Sequence, residues 1–168
     1  LVFTISVNLT VLYLLAFAKH IRKQWLLDMI VFVGLWALAA FMWWSQPMIP
    51  SHFAPDPMAP NFEYYPGSDA AIFDISSYQL LYGTGFNHQL IRRPLYVGLL
   101  ALYHTISGPG YAGTIFLQIL TLALIPALIF LLVTKLSNRL AGLLAGGLIV
   151  LREANAIHLS GEIVASHA

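Results

Sequence analysis

"PLYVGLLALYHTISGPGYAGTIFLQILTLALIPALIFLLVT", residues 94–134, contains no Asp, Glu, Lys or Arg. A single helix of that length would run about 60 Å, twice the roughly 30 Å of bilayer hydrocarbon. The run therefore holds more than one element, and "SGPG" at 107–110 divides it. Residues 95–106 read as a short interfacial or half-inserted helix. Residues 111–134 read as a full span, bent at Pro126 because proline removes a backbone donor and crowds the preceding turn.

The same reading extends in both directions. "KLSNR" (135–139) is a short polar turn. The apolar run 140–151 is only about 18 Å long as a helix, so a span there must continue through "REANAIHL" to residue 158. That puts Arg152 and Glu153 in or near the far interface. Towards the N-terminus, residues 26–46 read as another span, charge-free over 29–44 and closed by Pro47, with Trp43 and Trp44 as an interfacial aromatic belt. Residues 1–18 are apolar apart from a few hydroxyls and Asn8 and read as a first span, followed by "KHIRK". The chain opens "LVFTISV" without an initiator Met and ends "GEIVASHA" without a stop signal. These ends read as those of a fragment, the N-terminal portion of a longer protein.

Composition points the same way. Of 168 residues, 59% are hydrophobic and 9% are charged, against about 25% charged in a soluble domain. Such a chain cannot cover a globular surface with charge. The expected fold class is all-α integral membrane, one membrane domain over 1–168. It has about four transmembrane helices plus amphipathic juxtamembrane helices in a long extracytoplasmic loop, residues 47–107. "KHIRK" and "KLSNR" carry five of the eight Lys and Arg residues, so the positive-inside rule puts both in the cytoplasm. A net charge of +1 argues against a nucleic-acid partner. The absence of Cys excludes disulfides and thiolate metal sites. No HExxH, DxD, GxGxxG or Walker A pattern occurs, so no metal and no cofactor is expected. The six His residues show no ligand spacing. A haem or chlorophyll ligand at His104 or His158 is the weakest of the readings carried forward.

The polar loop holds the chemistry. In "YYPGSDAAIFDISSYQLLYGTGF" (64–86), Ser68 is a good N-cap and Asp69 sits at the positive end of the helix dipole. Ile72, Phe73, Leu80 and Leu81 recur at helical spacing, and Gly83 ends the run. An amphipathic helix over 69–82, lying on the membrane surface, is expected. The loop carries Asp56, Glu63, Asp69 and Asp74, then Arg92 and Arg93. At 100° per residue Asp74 lies about 140° around the helix from Asp69, so the two do not pair, and Asp74 reads as solvated. Adjacent arginines suit phosphate, which their planar forks bind bidentately. A base and a phosphate clamp at a membrane surface point to chemistry on a lipid-linked phosphate. The plainer readings are that Asp69 only steadies its helix, that Arg92 and Arg93 anchor to headgroups, and that Tyr64 and Tyr65 are interface anchors.

Asp69, Gly83, Gly85, Pro94-Leu95-Tyr96 and Gly108 occur in an order that resembles the GT-C membrane glycosyltransferases. The likeness is to the protein-mannosyltransferase-like group that uses polyprenyl-phosphate sugars. In that group an acidic residue opens a surface helix in the first external loop, and a small-residue turn and a "PPL" element follow. Here Ala70 stands where many relatives have a second acid, and Arg93 stands in place of the first proline. The resemblance implies that Asp69 is the general base and that Arg92 or Arg93 binds the donor phosphate, with Arg152 as a further candidate for that role. Substrate contacts would come from Glu63, Tyr65, Asp74 and Glu162. It also implies partners: membrane lipid and a polyprenyl-phosphate sugar donor. The location would be a plasma or inner membrane, with the active face extracytoplasmic. The alternative is a non-catalytic membrane subunit that packs in a larger membrane complex.

Overall fold

The computed structural model describes residues 24–46, 56–60, 62, 68–84 and 93–160. Every regular element among them is helical: α1 (Gln24–Trp44), α2 (Ser68–Leu81), α3 (Pro94–Ser107), α4 (Tyr111–Leu122), α5 (Leu124–Leu136) and α6 (Arg139–Ser160). The expected span over 1–18 lies outside the described residues, as does most of the proline-rich loop.

Three helices are long and apolar enough to cross a membrane: Gln24–Trp44, the continuous run Tyr111–Leu136, and Arg139–His158. The break between α4 and α5 falls at Ala123, three residues before Pro126. Proline has no N–H to offer the carbonyl of Leu122, so the ladder loses its bond there. Ala123 itself keeps helical angles (φ −61, ψ −15) and donates to Ile119 O at 2.8 Å, so the backbone continues helically across the break.

The three runs alternate in direction. Arg139, opening α6, donates from Nε to Asp28 Oδ1 at 2.7 Å and from its terminal nitrogen to Gln24 O at 3.0 Å. The starts of α1 and α6 and the end of α5 therefore share one end of the bundle, together with Lys135. At the other end Trp44 meets Phe116 edge-on, and Trp43, Tyr111 and Ile157 share one buried cluster. Asn138 caps α6 through Oδ1, which accepts from Ala141 N at 2.9 Å, the bond an N-cap side chain makes to the third helical residue.

Two contacts set the bundle's packing. On α6, Gly142 and Gly146 lie one turn apart and face the carbonyl ridge of α5. A Cβ at Gly142 would stand 2.7 Å from Phe130 O, and one at Gly146 would stand 2.8 Å from Pro126 O. Small residues four apart allow this approach, the arrangement that drives helix association in lipid. The second contact comes from α1, whose indoles bond to main-chain carbonyls: Trp36 Nε1 to Leu120 O at 2.8 Å and Trp43 Nε1 to Val150 O at 3.2 Å. Trp43 is 2% exposed. It is thus a core residue, which corrects the belt reading. Its N–H is satisfied inside the bundle and has no need of the interface.

Outside these contacts the bundle presents apolar side chains. Phe41 is 71% exposed and Leu148 66%, and Ile30, Val33, Leu128 and Leu132 are exposed with them. On all three long helices that surface is suited to hydrocarbon.

Gly146 and Gly147 provide an internal comparison. A Cβ at Gly147 would meet nothing within 4 Å. Gly147→Ala is therefore expected to stabilise the bundle by about 0.5–1 kcal/mol through helix propensity. Gly146→Leu is expected to destabilise it by about 1–3 kcal/mol through overpacking. Thermal unfolding in detergent should show shifts of opposite sign.

Candidate functional site

The site is built by α2 and α3 on α4. Helix α2 ends as its sequence dictates. Gly83 has φ +73 and donates to Leu80 O at 3.2 Å, while Thr84 N donates to Gln79 O at 3.1 Å. These two bonds make a Schellman cap, and glycine takes the left-handed position without steric cost. Pro94 occupies the first turn of α3, where its missing N–H costs nothing. Gly108 ends α3 at φ +78, ψ −166, a region open in practice only to glycine, and its N–H reaches His104 O at 2.9 Å.

The helix expected over 69–82 runs Ser68–Leu81, but its faces differ from expectation. Ile72 and Ile75 are 57% and 58% exposed, and Leu81 is exposed as well. The buried positions are Ala70, Phe73 and Ser77. Phe73 packs with Val97, Leu100 and Tyr103 and meets Tyr96 edge-on. Tyr78 lies against His104 with centroids 4.3 Å apart. With Phe73 beside Tyr96 and Tyr78 beside His104, α2 and α3 run in the same direction.

Asp74 is not solvated, which corrects that reading. Its Oδ1 lies 2.7 Å from His104 Nε2, and the side chains are 15% and 1% exposed. Next to a carboxylate, Nε2 carries a proton and donates it. The other ring nitrogen faces three oxygens: Tyr78 Oη and Thr114 Oγ1 at 3.1 Å each and, farther off, Gly108 O at 3.4 Å. The hydroxyl of Tyr78 donates to Pro109 O at 3.0 Å, and that of Ser107 to Tyr103 O at 2.9 Å. Thr114, 3.2 Å from Ser107 Oγ, is then the hydroxyl able to donate to a neutral Nδ1. With both nitrogens engaged in a buried cluster, His104 has no lone pair to offer a haem or chlorophyll. This overturns the pigment reading at that residue.

Below this cluster, Gln118 Nε2 donates to Tyr96 Oη at 3.0 Å, and Tyr103 Oη donates to Thr121 Oγ1 at 2.6 Å. Burial pushes the Tyr96 phenol above its ordinary value, against the opposing pull of the Gln118 hydrogen bond and the Arg93 charge. It remains a neutral phenol.

The named site residues distribute unevenly. Asp69 is exposed in the first turn of α2. The Arg93 guanidinium carbon lies 5.4 Å from the centroid of Phe73, which is one helical turn beyond Asp69. A carboxylate and a cation are thus brought to one end of the α2–α3 pair. Arg152 is exposed on α6, and its NH1 donates to the neighbouring Glu153 Oε1 at 2.8 Å. Glu63, Tyr65, Arg92 and Glu162 lie outside the described residues. Among the described residues no group of three or more His, Cys, Asp or Glu side chains is disposed to hold a metal ion.

Sequence reasoning missed the cluster of Tyr78, His104, Ser107 and Thr114. A signal did exist: Asp74 and Tyr78 are four apart on α2, and His104 and Ser107 are three apart on α3, spacings that share a helix face. Compared with known proteins, the chain matches no family model, no curated protein and no solved structure.

Tyr78→Phe keeps the ring against His104 and removes the bond to Pro109 O. It is expected to lower stability by about 1 kcal/mol and to speed hydrogen exchange of α2 amides more than those of α5 or α6. Exchange mass spectrometry on Tyr78→Phe and the unsubstituted protein side by side checks this.

Proposed function

We propose that the chain belongs to a membrane glycosyltransferase that moves a sugar from a polyprenyl-phosphate donor to an acceptor hydroxyl, on the extracytoplasmic side of a plasma or inner membrane. The observation that carries this reading is the shared position of Asp69 and Arg93 at the leading ends of α2 and α3. Those two helices stand beside helices long and apolar enough to hold a lipid tail.

In the proposed reaction the acceptor oxygen bonds to the anomeric carbon as the bond from that carbon to the phosphate oxygen breaks. Asp69, an exposed carboxylate, takes the hydroxyl proton as the acceptor attacks. The leaving phosphate gains negative charge, and the Arg93 guanidinium, with Arg92 next to it in sequence, is placed to stabilise it. The tail stays in hydrocarbon throughout. Arg152, paired with Glu153 on an exposed part of α6, has weaker support as a phosphate ligand than Arg93.

Asp69→Asn in the full-length protein is expected to lower transfer by about 10²–10⁴-fold while the thermal unfolding midpoint is kept. Lipid mass spectrometry on protein purified in mild detergent gives a second test. Polyprenyl phosphate should co-purify with the wild type and be lost from Arg92→Ala/Arg93→Ala. Bulk phospholipid alone, equal in both samples, would refute the donor assignment and favour a non-catalytic subunit of a larger membrane complex.

A further inference from the structure

We infer that Asp74 and His104 are positioning residues for the candidate site, fixing the rotation of α2 on α3 and α4 and so the direction in which Asp69 faces. This rests on the reading of Asp69 and Arg93 given above.

The inference follows from what holds α2. Its buried face is small: Ala70, Phe73 and Ser77. A single aromatic ring and two small side chains bury apolar area, but burial is non-directional and tolerates a turn of the helix about its axis. Directional contacts come from Asp74 and Tyr78, which hold the two sides of the same imidazole. That imidazole is itself bonded to α4 through Thr114. Tyr78 adds a bond to Pro109 O in the turn between α3 and α4.

The consequence for the site is angular. With Asp74 turned in to His104, Asp69 lies about 140° away around the helix and about 40° from Phe73. That puts the exposed carboxylate on the flank of Phe73, the ring over which Arg93 lies. A rotation of one residue, about 100°, would break both imidazole contacts and carry Asp69 off that flank. A surface helix held by apolar burial alone would have no such preference, and its outward Ile72 and Ile75 would accept several rotations in lipid.

The test uses the absence of cysteine from the sequence, which lets introduced cysteines carry spin labels without background. Labels go on Ile75→Cys in α2 and Ala112→Cys in α4, both exposed, in the full-length protein in liposomes of neutral phospholipid. A single narrow distance is expected in the parent. Asp74→Ala should broaden or shift it, and Asp74→Asn should restore it, because the amide oxygen still accepts from Nε2.

A second pair of variants avoids dependence on one that fails to assemble. His104→Asn keeps an amide near the Nδ1 position but does not reach Asp74, so the distance should broaden. His104→Gln reaches Asp74, and the distance should stay narrow. A narrow, unshifted distance in Asp74→Ala, or equal behaviour of His104→Asn and His104→Gln, overturns the inference. In the transfer assay Asp74→Ala is expected to lower kcat by roughly ten- to a hundredfold with little change in KM, the scale of a reacting group displaced by ~1 Å. If the labels move as expected and the parent shows no transfer, the positioning of α2 stands and the transferase reading falls.

Discussion

The approach of α6 to α5 at Gly142 and Gly146 is the contact on which the rest of the structure stands. With a Cβ at Gly146 only 2.8 Å from Pro126 O, the two backbones are as close as hydrogen alone permits. In lipid there is little hydrophobic gain from bringing apolar helices together, so close van der Waals contact has to supply the association. Once α5 and α6 are joined, α1 lies across both and fastens with two indole hydrogen bonds to carbonyls of α4 and α6. Helix α4 is then the platform on which α3 and α2 are carried.

That platform explains the inverted pattern of α2. On a helix washed by water, Asp74 and Ser77 would face out and Ile72 and Ile75 in. Here Asp74 turns to His104, Ser77 is buried with its hydroxyl donating to Asp74 O, and the isoleucines turn away. The inversion has a simple cause. A buried polar side chain without a partner is costly, and α3 and α4 with the turn between them offer an imidazole, two hydroxyls and a carbonyl in one place. The same rule seats Trp43 in the core and gives Tyr96, Tyr103 and Gln118 mutual or neighbouring partners.

The candidate site inherits its geometry from this inward-facing cluster. Asp69 and Arg93 are exposed, and neither is locked by burial; Arg93 lies over Phe73, whose ring is fixed among Val97, Leu100 and Tyr103, and Asp69 is one helical turn before that residue. The chemistry proposed for them depends on a helix whose orientation we infer is set by Asp74 and His104.

The sequence by itself determined three helices long and apolar enough to cross a membrane, because length and the absence of charge decide whether a helix can cross hydrocarbon, and both are local properties. It determined the ends of α2 and α3 for the same reason: Gly83, Pro94 and Gly108 act through their own φ angles and missing atoms. It also carried Asp69, with Arg92 and Arg93, as residues worth naming, since their chemistry is intrinsic. Only the tertiary structure decided that Asp74 meets His104, that Trp43 is core and Trp44 is not, and that Ile72 faces out while Ser77 faces in. Those outcomes depend on which polar partner a neighbouring helix presents. Asp74 and His104 are thirty positions apart, and no spacing along one helix reveals what another helix will bring to its side.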